Sequence, residues 1–219
     1  PQSGPPDWQR LIVLLRESHP DQAAKVAIES YQRFGQVEHL LLALDVYSAL
    51  ADIDAQTRVF AMLGDKAESV AAKETRFLLL RARYYQNQKN TDAAWADLKR
   101  ARIQAPGEID VLLANMWFLI DVKKTTELAA ILKSHAQIAM NEEPLWTSFA
   151  VANQLLDRPR EAARWYGKIL DAKKDDPLML LNFADVRERL GQIGIADRLR
   201  RHAWLQLKTR AHEFQQWPG

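Results

Sequence analysis

Apolar and small residues recur along this sequence with a step of 34 residues, and this period restricts the possible fold more than any other feature. Several independent columns share the register, which is not expected by chance. The columns are Ala94, Leu128, Ala162 and Ala196; Leu98, Leu132, Tyr166 and Arg200; Ala101, His135, Ile169 and Ala203; Ala82, Met116, Ala150 and Ala184; and Leu78, Leu112, Trp146 and Leu180. A period of this length is typical of chains built from stacked supersecondary units.

The spacing inside one period indicates two amphipathic helices. An apolar face at helical spacing runs through Leu78, Ala82 and Tyr85. After the break "QNQKN", a second face runs through Ala94 and Leu98. Such a hairpin cannot bury its apolar face alone, so neighbouring hairpins must stack into a solenoid. Because the chain has only 8 Gly and 9 Pro and lacks β-branched alternation, its composition also favours the all-α class.

The segment "LLLRARYYQNQKNTDAAWADLKRARIQAP" resembles a tetratricopeptide repeat (TPR). The TPR pattern has a small residue and then an aromatic one in the first helix, followed by Ala, a large residue, Ala and Pro in the second helix. This segment supplies them as Ala82, Tyr85, Ala94, Leu98, Ala101 and Pro106. The segment "PLWTSFAVANQLLDRPREAARWYGKIL" is similar to the same pattern, whereas the segment from Leu178 departs from it at Arg187 and Arg200, where aromatic or apolar residues are usual.

The resemblance implies an all-α, TPR-like α-solenoid, a single array over residues 1–219 in a right-handed superhelix. About six helix-turn-helix hairpins are expected, at approximately 7–35, 36–72, 73–106, 107–141, 142–175 and 176–212. The period loosens upstream, where Ala24 and Ala55 are 31 residues apart and Ala55 and Ala94 are 39 apart. We therefore expect a shortened hairpin followed by a lengthened helix around "GDKAESVAAKE".

In a TPR array the first helices of successive hairpins line a concave surface, and the register predicts which residues face it. The candidate partner-binding residues are Leu79, Arg83, Leu113, Trp117, Ile120, Val151, Gln154 and Asp185. The apolar centre of this set suits an amphipathic helix or an extended peptide with apolar anchors. The alternative is that Leu113 and Trp117 pack against neighbouring repeats or inside a tight superhelix. The Lys, Arg and Asn set with which co-chaperone TPR proteins hold a terminal carboxylate is missing.

A basic series on the second helix of the 142–175 hairpin is a second candidate surface. It comprises Arg158, Arg160, Arg164 and Lys168, a candidate basic edge that could meet an acidic partner. The alternative is a solvated helix face, because exposed ion pairs contribute little to stability.

Composition and motifs argue against several classes of function. The net charge is +2 and acidic and basic residues are interleaved, which does not indicate nucleic-acid binding. There are no cysteines, the five histidines lack metal-ligand spacing, and no catalytic or phosphate-binding motif occurs. We therefore expect a non-catalytic protein without a cofactor or metal, and no membrane span, since no apolar run is long enough. The first residues lack an initiator Met and a signal peptide, so we expect a piece of a longer protein.

The last unit, "NFADVRERLGQIGIADRLRRHAWLQLKTR", resembles more loosely the periplasmic TPR regions of Gram-negative exopolysaccharide exporters, above all those of the Pel type. This resemblance, which depends mainly on "RLRRHAWLQL", implies a periplasmic scaffold within an outer-membrane protein. Its expected partner is a periplasmic polysaccharide deacetylase or hydrolase. Two alternatives remain open at this stage: direct exopolysaccharide binding by the array, and a cytoplasmic TPR assembly or regulatory adaptor.

Overall fold

The protein is all-α, as the periodicity predicts. The computed structural model describes the backbone of residues 4–215 and the side chains of residues 4–209. The helices are α1 (Pro5–Ser18), α2 (Pro20–Phe34), α3 (Val37–Ala49), α4 (Ile53–Leu63), α5 (Ala67–Ala71), α6 (Thr75–Asn87), α7 (Thr91–Gln104), α8 (Ile109–Asp121), α9 (Thr125–Ser134), α10 (Ala136–Asn141), α11 (Glu143–Leu155), α12 (Pro159–Ala172), α13 (Pro177–Arg189) and α14 (Ile193–Gln215). A 3-10 turn, Gly64–Lys66, joins α4 to α5.

The chain forms two compact units, with the division between Pro106 and Gly107. Helices α1 to α7 belong to the first unit and α8 to α14 to the second. In the first unit, α1 packs on α2, α2 on α3 and α6 on α7. In the second unit, α11 packs on both α8 and α12, and α13 packs on α14. Each unit is therefore a set of adjacent helix hairpins.

The turns inside the hairpins repeat the 34-residue period at the level of the backbone. Lys89, Lys123, Asp157 and Gly191 stand one period apart, and all have positive φ, between 52° and 74°. The amide that follows each of them bonds back to a carbonyl of the first helix, as Asn90 N does to Tyr85 O at 2.8 Å. The left-handed residue turns the chain so that the next amide can donate to a carbonyl at the end of the helix, which would otherwise lack a donor. The repeat therefore fixes turn geometry as well as core residues.

The irregular spacing upstream has a different structural basis from the expected one. We expected a lengthened helix around "GDKAESVAAKE", but α4 ends at Leu63 and the chain continues as the 3-10 turn and the short helix α5. Gly64 has φ +48° and ψ −129°, a conformation that residues with a Cβ rarely adopt, and it breaks the helix. The extra residues thus form a separate segment, which Val70 and Ala71 anchor through buried side chains.

The repeat columns form the buried core of the second unit. The small column is fully buried at Met116, Ala150 and Ala184. Ala162 and Tyr166 of α12 are also fully buried, and they pack in one cluster with Phe183 and Val186 of α13. Small residues permit close helix approach, and the large neighbours fill the space between hairpins.

The 107–141 hairpin is interrupted where its sequence departs from the repeat. His135 stands in a column that holds Ala101, Ile169 and Ala203 elsewhere, and it lies between the end of α9 and the start of α10. Helix α9 is therefore 10 residues long, whereas α12 has 14 residues.

Candidate partner-binding surfaces

The predicted concave-face residues are mostly accessible in the unit to which each belongs. In the first unit, Leu79 of α6 is half-buried and Arg83 is exposed. In the second unit, Trp117 of α8 is 43% exposed. Of the other predicted residues in the second unit, Asp185 is exposed. The rest are half-buried: Leu113, Ile120, Val151 and Gln154.

Two of these predicted residues already have partners inside the second unit. Tyr166 donates its hydroxyl hydrogen bond to Gln154 Oε1 at 3.0 Å. Asp185 pairs with Arg200, whose Nη2 lies 3.0 Å from Asp185 Oδ1 and also bonds Glu188. The predicted side chains of the second unit that remain available to a partner are therefore apolar ones. Leu113 and Trp117 are four residues apart on α8, and so lie on one face of it.

The four residues of the predicted basic edge lie on different surfaces of α12. Arg158 precedes the helix and lines a cleft beside α9. Arg160 and Arg164 line a separate pocket beside α13. The Lys168 ammonium lies 4.4 Å from the centre of the Trp146 ring, in a cation–π contact. Only Arg160 and Arg164 thus contribute to the same cavity.

Three arginines line that cavity, which has a volume of about 450 Å³ and which we call the arginine pocket. Arg160 and Arg164 come from α12, and Arg187 comes from α13. The rest of the lining is Ala163, Leu190 and Gln192. The pocket therefore combines a high density of positive charge with a small apolar wall.

Neighbouring groups hold Arg187 in place. Its guanidinium lies 4.5 Å from the centre of the Phe183 ring. Arg187 Nη1 donates a hydrogen bond of 2.8 Å to Gln192 Oε1. Its Nε is buried, and has no acceptor among the described residues. Arg187 was not predicted from the sequence to belong to a site, although it stands where the TPR pattern usually has an aromatic residue, and that departure was a usable signal.

The acids nearest in sequence to Arg187 are paired elsewhere. Asp185 and Glu188 both pair with Arg200 of α14. Among the described side chains, Arg160, Arg164 and Arg187 form no ion pair with a carboxylate. Because Arg160 and Arg164 are one helical turn apart, their like charges repel each other. The arginine pocket thus holds three guanidinium groups that no described carboxylate pairs with directly.

A second cavity, of about 570 Å³, lies between α9 and α12, and we call it the apolar cleft. Its apolar wall includes Leu132 of α9, Phe149 of α11 and Trp165 of α12. Phe149 and Trp165 are in ring contact, with their centres 5.0 Å apart. Lys133, Arg158 and Glu161 add charged groups to the lining. The sequence did not predict this cleft.

The described residues contain no group of three or more His, Asp or Glu side chains placed to hold a metal ion. Within the same part of the chain, no helix has the length and apolar character that a bilayer crossing requires. Among the surfaces of the described residues, we consider for recognition the apolar face of α8, the arginine pocket and the apolar cleft.

The family model for the tetratricopeptide repeat matches residues 1–209. The chain belongs to the tetratricopeptide repeat family. The TPR assignment made from the 34-residue columns is thereby confirmed. No curated protein matches this TPR chain significantly.

Solved structures of TPR proteins share the fold at low sequence identity. A TPR protein from Parabacteroides merdae is 12% identical, with a TM-score of 0.70 over 92% of this chain and 79% of its own. BtubC from P. vanneervenii is 13% identical, with a TM-score of 0.66 over 97% of this chain and 94% of its own. The structure MamA MSR-1 C2 is 16% identical, with a TM-score of 0.62 over 75% of this chain and 92% of its own. These similarities concern the fold.

Proposed function

We propose that this TPR protein is a non-catalytic scaffold that binds a protein partner through the first helices of its hairpins. The observation that carries the proposal is the apolar face of α8, where Trp117 remains 43% exposed beside half-buried Leu113 and Ile120. Exposed large apolar groups on a helix face are typical of contact sites. Leu113, Trp117 and Ile120 are four and three residues apart, so they form one apolar stripe on α8 against which the apolar face of a partner helix can pack.

The more specific proposal is a location in the periplasm, as part of an outer-membrane exopolysaccharide exporter of the Pel type. Its support is the "RLRRHAWLQL" string, which lies within α14. Trp204 and Leu205 of this string are 60% and 55% exposed, whereas Ala203 is fully buried. The string therefore contributes surface residues besides the hairpin core. In this setting the scaffold recruits a polysaccharide deacetylase or hydrolase to the export machinery.

Direct binding of the polysaccharide is a second candidate, which exposed tryptophans favour. Trp117 and Trp204 present large aromatic rings on the surfaces of α8 and α14. Such rings have a broad apolar face on which a sugar ring can stack. This candidate predicts saturable binding of the polymer to the TPR protein alone, whereas the scaffold predicts binding to the enzyme.

The scaffold proposal is tested by affinity capture from the periplasmic extract of an exopolysaccharide-producing Gram-negative bacterium. The bait is compared with a Trp117→Ala variant and with a matched control, Ile103→Ala, which removes an 80% exposed apolar side chain from α7. We expect the bait and the control to retain a polysaccharide deacetylase or hydrolase and the Trp117 variant to lose it. Recovery of only cytoplasmic proteins by the wild-type bait would contradict the exporter assignment.

A further inference from the structure

We propose that the arginine pocket is the recognition site for an acidic peptide segment of the protein partner, with two carboxylates bound by Arg160, Arg164 and Arg187. This inference rests on the proposed scaffold function and deepens it, because it names the chemistry of the partner. It concerns a surface separate from the apolar face of α8, within the second unit.

The positive charge of the arginine pocket supports an acidic ligand. Three guanidinium groups line one cavity of about 450 Å³, and they form no ion pair among the described side chains. The nearby carboxylates of Asp185 and Glu188 both pair with Arg200 and not with the pocket arginines. An anion from outside the chain would supply the missing partner, and charge-assisted hydrogen bonds to Arg are the stronger kind.

Arg187 is already held in position before a ligand binds. Arg187 is held by its contact with Phe183 and by its hydrogen bond to Gln192, so little rotamer freedom remains to be lost when it binds a ligand. A carboxylate is the acceptor best suited to a guanidinium group held in this way, because its two oxygens match the planar fork of the arginine side chain.

The spacing of Arg160 and Arg164 favours a peptide with two carboxylates over a single small anion. Arg160 and Arg164 are separated by four residues along α12, a rise of about 6 Å. Carboxylates two residues apart on an extended peptide are separated by about 7 Å, and those four residues apart on a helix by about 6 Å. The apolar wall of Ala163 and Leu190 adds a contact for an aliphatic side chain beside the acids. A peptide with Glu-x-Glu flanked by Leu fits this arrangement.

Fluorescence anisotropy with a fluorescein-labelled nine-residue peptide containing Leu-Glu-Ala-Glu-Leu tests the proposal. We expect saturable binding at low salt that weakens by about tenfold or more for Arg160→Glu with Arg164→Glu. The control variant, Arg198→Glu with Arg201→Glu, makes the same charge change at two exposed residues of α14 that do not line the pocket, and should retain the affinity. An Arg187→Met variant removes the charge of the third arginine, and should also bind more weakly.

Several outcomes would overturn the assignment. Equal loss in the pocket and control variants would show that only net charge matters. Equal affinity for the peptide with both Glu residues replaced by Gln would exclude carboxylate recognition. Tighter pocket-dependent binding of alginate, an acidic polysaccharide, would assign the site to a sugar polymer. If peptide binding fails while the bait still captures its enzyme through Trp117, this inference is wrong and the scaffold function stands.

Discussion

Arg81 and Asp97 form a buried, two-point ion pair between α6 and α7: Nε lies 2.7 Å from Oδ2, and Nη2 lies 2.8 Å from Oδ1. Arg81 and Asp97 are only 8% and 3% exposed. Glu68 extends the pair, because it accepts hydrogen bonds from Arg81 at 2.7 Å and from Arg100 at 3.0 Å. The extra segment α5 is thereby tied to the 73–106 hairpin, and Asp97 raises the pKa of Arg81.

Removal of one partner of this pair should destabilise the first unit strongly. Asp97→Leu leaves the Arg81 charge buried with only Glu68 to compensate it, and we expect a loss of about 3 kcal/mol in the free energy of unfolding. The double variant Arg81→Met with Asp97→Leu should recover most of that loss, since no buried charge remains. Arg100→Met, at the exposed end of the network, is the control and should cost less than about 1 kcal/mol. Urea denaturation measures all three.

The fully buried alanines of the repeat columns should not tolerate a side chain as large as tryptophan. Ala94 is fully buried in α7, so Ala94→Trp should overpack the contact and reduce the free energy of unfolding by about 1–3 kcal/mol. Ala96→Trp, two residues along the same helix, places the same ring in solvent and should have little effect. Thermal unfolding compares the two variants, and equal melting temperatures would contradict the register of the repeat.

The left-handed turn residues allow one stabilising and one destabilising substitution to be compared. Lys123 has φ +55°, a conformation that costs about 1 kcal/mol for a residue with a Cβ, so Lys123→Gly should stabilise the protein. Gly191 occupies the equivalent turn with φ +74°, and Gly191→Ala should destabilise it by a similar amount. Differential scanning calorimetry should show melting temperatures that move in opposite directions.

His39 should make the stability of the first unit depend on pH. Burial lowers the pKa of His39, with Glu38 opposing the shift, and His39 Nδ1 lies 2.9 Å from Ser30 Oγ in a hydrogen bond. As the pH falls through the usual value of about 6.5, the unfolded chain binds a proton that the folded chain does not. Stability should therefore fall over that window. In urea denaturation at about pH 7.5 and pH 5.5, His39→Gln should lose stability less steeply than the wild type.

Much of this fold follows from the sequence because the repeat constrains core and turns together. Ala82, Met116, Ala150 and Ala184 share one column, and all four are fully buried. The columns do not reveal where a helix stops early, because that depends on local breaks. Gly64 ends α4, and α9 ends where His135 replaces a small or apolar residue. The apolar cleft depends on how α9, α11 and α12 pack together, and so was not predicted.

The candidate sites were less accessible to sequence reasoning than the fold. Arg160 and Arg164 were predicted as part of a basic edge, but their grouping with Arg187 depends on how α12 packs against α13. The lack of compensating acids depends on Arg200, which pairs with Asp185 and Glu188. A linear sequence shows the charges but not these pairings. Departures from the repeat pattern, as at Arg187 and Arg200, are the sequence signal that points to this site.

Calorimetric titration with two purified ligands tests the central claim, that the chain is a protein-binding scaffold, most directly. The ligands are the polysaccharide deacetylase or hydrolase of the same secretion system and the exopolysaccharide with its oligosaccharides. The account predicts saturable binding to the enzyme, weakened by Trp117→Ala and unchanged by Ile103→Ala, and no saturable binding to the polymer. Saturable binding to the polymer together with none to the enzyme would contradict it.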